Sequence, residues 1–220
     1  MDTATPAVTA GVVELAAAML RQRSAVVAHD ARKHAELLMP AVQHACREAG
    51  VTQRDLDAVV IGAGPGPFTG LRVGMVTAAA LGDALDIGVH GVGSLDAIAQ
   101  QAAAAEPGGN LLVVTDARRK EVYWAGYDPE ARRLTGPHVE PPAVLEARAA
   151  DLGAVAAAGD PRHAALSGLA VVDPPSPAPA ALVACAAPDL RAGVVPGPLE
   201  PLYLRRPDAV VPGARKRVSA

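Results

Sequence analysis

Apolar residues along this chain recur with two periods, one suited to strands and the other to helices. Ala7 to Leu15 and Ser24 to Ala28 are apolar segments that predict β-strands, with a polar turn around Arg21–Arg23 between them. From Arg32 to Ala49 the period changes. Leu37, Leu38, Ala41, Val42, Ala45 and Ala49 return at steps of three and four, which predicts an amphipathic helix ending at Gly50. Pro40 inside it predicts a kink, because proline removes a backbone hydrogen bond. Ala58 to Ile61 has the continuous apolar character of a buried strand. A second helix is expected from Thr69 to about Leu85, and a third from Leu95 to Ala105 with Ser94 as its N-cap. The order β, β, α, β, α, short β, α describes an α/β layer with a mixed sheet.

A second unit begins after Pro107-Gly108-Gly109. Leu111 to Thr115 is a strongly apolar strand, and Glu121 to Tyr127 alternates as its hairpin partner, with Asp116 to Lys120 as the exposed turn. Beyond Pro129 the chain turns Ala/Pro-rich, most obviously from Pro174 to Pro179, and long loops with one or two short elements are expected there. The division is therefore an N-terminal lobe, 1–107, and a partly irregular C-terminal lobe, 108–220.

Between the Ala58 strand and the second helix lies Gly62-Ala63-Gly64-Pro65-Gly66-Pro67-Phe68-Thr69-Gly70-Leu71-Arg72. Strand, glycine loop and helix start together bring backbone amides close to a phosphate in many proteins. This loop has no lysine, so it is not a Walker A loop. Thr69 stands where a dinucleotide fingerprint needs its third glycine. The loop has two readings: a phosphate contact, or a tight turn capped by Thr69. In the helix that follows, Gly70, Gly74, Ala78 and Gly82 fall every four residues and make a smooth stripe. Glycine costs up to about 1 kcal/mol relative to alanine inside a helix. Such a stripe points to close approach by another backbone, from the chain's own sheet or from a second protein.

Composition removes several classes of function. Half of the 220 residues are hydrophobic but only 2% are aromatic, too few for a base-stacking platform. The net charge of −3 argues against bulk electrostatic binding of nucleic acid. Arg205, Arg206, Arg215, Lys216 and Arg217 make a basic end that reads as a solvated tail. Cys46 and Cys185 are far apart in the chain, as in a reduced cytosolic protein, and no apolar run reaches the roughly 18 residues of a membrane span. A soluble cytoplasmic protein is expected. None of the six histidines pairs with H-x-x-x-H spacing, and no serine sits in a G-x-S-x-G elbow, so neither a metal site nor a catalytic residue is expected.

Asp2-Thr3-Ala4-Thr5 followed by Gly62 to Gly74 resembles the bacterial TsaB (YeaZ) family. Arg32 to Pro40, Asp116 to Trp124 and Pro201 to Arg205 are similar as well, whereas Asp128 to Leu199 is similar only loosely. In the family a first strand precedes the Asp-Thr pair, and here only Met1 does. The resemblance implies an actin/sugar-kinase/Hsp70-like (ribonuclease H-like) fold of two α/β lobes, mixed sheets flanked by helices. It also implies a non-catalytic role in making N6-threonylcarbamoyladenosine at tRNA position 37. The implied partners are a TsaD-type transferase paralogue, a TsaE-type small ATPase and, indirectly, tRNA, with no membrane. No cofactor of its own is implied, and ATP with magnesium belongs to the complex. Aligned on the transferase's metal helix, Gly91 to Ile98 places Ser94 and Ile98 where that paralogue has its two histidines.

On this reading His34, Leu37, Leu38, Val42, Gly70, Val73, Gly74 and Thr77 form the seam of an inter-subunit helical bundle. The same face would serve a homodimer when the transferase is missing. Asp2, Thr3, Gly64, Gly66, Thr69 and Asp116 are the phosphate-binding candidates. They would define the alternative, an ATP-dependent enzyme acting in the cleft between lobes. A third reading, a protease acting on its own paralogue, lacks an arranged nucleophile and base.

Overall fold

The computed structural model describes residues 1–30, 33–105 and 108–205. β1 (Ala7–Leu15) and β2 (Leu20–His29) form an antiparallel hairpin. Its turn is Ala16–Met19, where the Ala16 amide donates to the Met19 carbonyl at 2.8 Å. Arg21–Arg23 therefore lie within β2 and not in the turn. They sit on exposed strand, where a polar run looks like a loop in sequence.

α1 (His34–Ala49) ends as expected in left-handed Gly50, whose amide donates to the Arg47 carbonyl at 3.1 Å. It runs unbroken through exposed Pro40. Its expected first residue, Arg32, lies outside the described residues, as do Pro107 and the basic residues Arg206, Arg215, Lys216 and Arg217.

β3 (Ala58–Gly62), α2 (Phe68–Leu85) and β4 (Gly88–Val92) make a parallel βαβ unit, followed by α3 (Ser94–Ala105). Met1 and Asp2 join this unit to the hairpin. The Met1 nitrogen donates to the Val60 carbonyl at 2.7 Å, and the Gly62 amide donates to the Met1 carbonyl at 3.0 Å. On the other side Asp2 and Thr9 exchange both backbone hydrogen bonds.

The second half is built on one five-stranded mixed sheet ordered β7-β6-β5-β8-β9. β5 (Asn110–Asp116) pairs antiparallel with β6 (Val122–Tyr127), as expected, and β6 pairs with β7 (Arg133–Glu140). β8 (Ala154–Gly159) and β9 (Ala170–Val172) continue the sheet in parallel on the other side of β5. α4 (Leu145–Leu152), α5 (Pro161–Ala164) and α6 (Pro179–Arg191) complete it. Beyond Pro129, where long loops with one or two short elements were expected, the described residues thus hold three strands and three α-helices. Alanine carries little of the β-branched signal of strands, so β8 is silent in sequence.

Period-two alternation buries both faces of the central strand β5. Leu111 and Val113 pack with Leu95 and Ile98 of α3, while Leu112 and Val114 pack with Trp124 and Leu145. In the first half, Leu38, Val42 and Cys46 of α1 meet Val8, Ile61, Leu71 and Met75. α6 returns to this half, where Ala181, Leu182 and Ala186 bury Val60 and Ala97.

The glycine stripe of α2 faces inward. A Cβ on Gly70 would lie 2.6 Å from the Thr3 carbonyl oxygen. One on Gly74 would collide with the Thr3 hydroxyl and lie 3.1 Å from Ile61 Cδ1. Of the two neighbours that the stripe allowed, it is the chain's own backbone that approaches. Gly74→Leu is expected to lower the unfolding free energy of the isolated chain by about 3 kcal/mol or more through overpacking. Urea denaturation with an unchanged midpoint would contradict that packing.

Candidate functional site

The loop after β3 is packed from beneath by the chain's own first residues. Gly66 lies against Ala4, such that a Cβ there would meet the Ala4 Cα at 2.7 Å. Gly64 is left-handed (φ 97°), which glycine adopts without cost, and leans on the Leu71 side chain. Its carbonyl accepts from the Ser94 amide at 2.7 Å. The hydroxyl of Tyr123, on β6, donates to the Gly66 carbonyl at 3.4 Å. Leu202, from the C-terminal segment, donates its amide to the Ala63 carbonyl at 2.9 Å.

Asp2 is fully buried, and its carboxylate faces the start of α3 instead of a cleft. Oδ2 accepts from the Ser94 hydroxyl at 2.5 Å and Oδ1 from the Ala4 amide at 3.0 Å. Gly62 leaves the room for it, since a side chain there would occupy the carboxylate's place. Burial raises the Asp2 pKa, and the hydrogen bonds from Ser94 and Ala4 oppose that rise. Ser94 is thus the first residue of α3 and a partner of Asp2, not an N-cap.

The other candidates divide. Thr3 is buried with its hydroxyl donating to the Gly70 carbonyl at 2.8 Å. Thr69 is exposed and stands second in α2, whose N-cap is Pro67 with no side-chain cap, so the threonine cap is replaced by a proline entry. Asp116, at the end of β5, accepts from the Arg118 amide at 2.7 Å and pairs with the Arg118 guanidinium at 3.1 Å. His163 stands 3.9 Å away on its other side, held by Asp160 at 3.0 Å.

A cavity of about 190 Å³ lies among Thr3, Thr5, His34, Thr69, Gly70 and Arg118. It gathers Thr3 and Thr69, and through Arg118 it reaches the Asp116 hairpin. Asp2, Gly64 and Gly66 are not on its wall. Its volume is below the roughly 300 Å³ at which small-molecule sites begin. Arg118 was not among the expected site residues: Arg118, Arg119 and Lys120 all have left-handed backbone in the hairpin turn, and no residue type in that run advertises it.

The residues of the expected inter-subunit seam divide by burial. Leu38 and Val42 belong to the core of the first half, and Gly70 and Gly74 are covered by Thr3. His34 is buried with Nε2 3.0 Å from the Thr5 carbonyl. Residues at core spacing on a helix have one signature whether the neighbour is internal or external. Leu37, Val73 and Thr77 are half-buried and border solvent.

Comparison with known proteins places this architecture. The family model described as "TsaD: tRNA N6-adenosine threonylcarbamoyltransferase" matches residues 24–160. An uncharacterized protein of Mycobacterium tuberculosis is 52% identical over 210 residues, 95% of this chain and 92% of that protein. The Escherichia coli tRNA threonylcarbamoyladenosine biosynthesis protein TsaB is 36% identical over 96 residues, 44% of this chain and 42% of that protein. A Pseudomonas aeruginosa crystal structure, described as similar to peptidase YEAZ, superposes with a TM-score of 0.74 at 28% identity, covering 93% of this chain and 97% of that one. The chain belongs to the TsaB (YeaZ) family. Its two-lobed architecture is the actin-like fold of that family, as the resemblance implied.

For this TsaB family member the raised pKa of Asp2 has a defined consequence. A raised folded-state value means that the folded protein binds the proton more tightly than the unfolded chain. Stability from this group is therefore greatest at low pH and is lost as pH rises from the ordinary value of 3.8 through the raised one. Urea denaturation across pH should show the wild type losing stability relative to Asp2→Asn as pH rises, and Ser94→Ala should extend that loss to higher pH. A difference that stays flat with pH would rule out the assignment.

Proposed function

We propose that this chain is a subunit needed for N6-threonylcarbamoyladenosine formation at tRNA position 37, which binds and supports a TsaD-type transferase and contributes no catalytic centre. Family membership supports the pathway. The observation that carries the division of labour is the start of α3, where the transferase's two metal-binding histidines would fall. Ser94 spends its hydroxyl on buried Asp2, and Ile98 is fully buried in the core beneath α3. Neither position offers a metal ligand, and the loop that would cradle a phosphate is filled by Asp2 to Ala4. No group of three or more His, Cys, Asp or Glu side chains among the described residues could hold a metal ion.

In this reading the transferase docks on the outer side of α1 and α2, around half-buried Leu37, Val73 and Thr77 and exposed Val76. A TsaE-type ATPase joins the assembly, and ATP with magnesium acts at the level of the complex. tRNA is met indirectly. No described helix is long and apolar enough to cross a membrane, which suits work on tRNA in the cytoplasm.

Reconstitution tests the proposal. Purified transferase with tRNA and threonylcarbamoyl-adenylate should modify the tRNA efficiently only when this chain is added. The chain alone should show neither turnover nor tight binding in calorimetry with ATP and magnesium. Turnover by the isolated chain would instead establish the ATP-dependent enzyme, and a transferase indifferent to the chain would remove the partner role.

A further inference from the structure

The sheet of the first half is divided. β1 pairs with β2 and β3 pairs with β4, each as a separate two-stranded sheet, and among the described residues no strand pairs with their facing edges. Between those edges lies a cavity of about 400 Å³, above the roughly 300 Å³ at which ligand sites begin. It is one strand wide. At its inner end Met1 bonds to Val60 and Gly62 of β3, and both Asp2 backbone groups bond to Thr9 of β1. Helices cover both faces. Val59 and Ile61 pack toward α1 and α2, whereas Val60 packs toward α6, so Val42 and Leu81 wall one side of the cavity and Val183 and Leu190 the other. In the large sheet, β5 lies antiparallel to β6 and parallel to β8, with β7 and β9 outside. A strand along the line of Met1 and Asp2 would be antiparallel to β1 and parallel to β3, with β2 and β4 outside. The first half thus frames the same five-stranded order around a cavity where the second half has β5.

We propose that this cavity is an acceptor site for an extended apolar peptide segment of another protein, held as a strand between β1 and β3. Along a strand, the backbone groups of every second residue face the same neighbour. Val60 and Gly62 face Met1, so Ala58 faces the cavity, and Gly11 does so two residues beyond Thr9. A peptide matches two such edges because its own backbone offers donors and acceptors to each side. Apolar walls on both faces call for a continuous apolar run and not an alternating one. Leu111 to Val114 of β5 has that composition in the corresponding place. Direction follows from β3. The segment's N-terminal end lies past Ala58, where exposed Asp55 and Asp57 line the mouth. A basic residue ahead of the apolar run complements them.

The test uses the 220-residue chain with neither transferase nor tRNA, so it stands apart from the pathway reading. A fluorescently labelled Lys-Lys-Leu-Leu-Val-Val peptide should bind saturably in anisotropy titrations and raise the unfolding midpoint. Lys-Lys-Leu-Pro-Val-Pro, which stays apolar but loses backbone donors, should not bind. Val183→Trp, which fills the cavity from α6, should weaken binding at least about tenfold. Asp57→Lys, on exposed backbone, should weaken it about threefold. Fusing the same peptide directly ahead of Met1 should shut out the free peptide, since the cavity leads into that residue. Circular dichroism reports whether each variant is folded. No saturable binding, equal binding of the proline peptide, or binding indifferent to both Asp57→Lys and the fusion would each overturn the proposal. So would peptide affinity that falls as chain concentration rises, which would put a second copy in the cavity.

Discussion

The first half of this protein is organised around one buried segment, Asp2 to Thr5. Every residue in it is buried, and hydrogen bonds leave it in several directions: to Thr9 on the hairpin, to Ser94 on α3 and to Gly70 on α2. Gly62, Gly66, Gly70 and Gly74 line its path, and each would strike Asp2, Thr3 or Ala4 if it carried a side chain. Burying a carboxylate is costly unless hydrogen bonds compensate it. The Ser94 hydroxyl and the Ala4 amide meet that requirement, and so the end of β3, the glycine loop and the start of α3 are tied to a single point.

The second half is tied to this point by two devices. Tyr123 reaches the loop from β6, and Leu202 pairs with Ala63. The same C-terminal segment carries Tyr203 onto Phe68, with ring centroids 5.2 Å apart, and places Arg205 against Glu121. Elsewhere Arg133 and Tyr127 of the large sheet converge on Asp96 of α3, where burial raises the Tyr127 pKa beyond its usual range. The loop is thus closed from below and bridged from the side, while Val73 and Thr77 of α2 and Leu37 of α1 border solvent.

Legibility followed physical scale. Elements as far as Tyr127 were visible because hydrophobic period and glycine punctuation are local properties, and Gly50 ended α1 where the pattern placed it. Beyond Pro129 the alanine-rich β8 and the proline-bearing α6 carry weak local signals and are held by the sheet they join. The motif Pro201 to Arg205 was recognisable by resemblance, but its service as a bridge to Ala63 and Phe68 was not. The expected inter-subunit seam shows the same limit. Leu38, Val42, Gly70 and Gly74 have the spacing of a packed face, and spacing is silent about whose atoms pack there.

By itself the sequence determined the α/β order, the loop that announces the family and the lack of metal-ligand spacing around Ser94 and Ile98, since each of these is written in neighbouring residues. Only the tertiary structure decided that the loop is filled, that Asp2 is bound to Ser94 and that the glycine stripe faces inward. Asp2 and Ser94 are 92 residues apart, and their meeting depends on where a strand end, a loop and a helix start converge in space. No local pattern encodes that convergence, because it is fixed by the packing of all three.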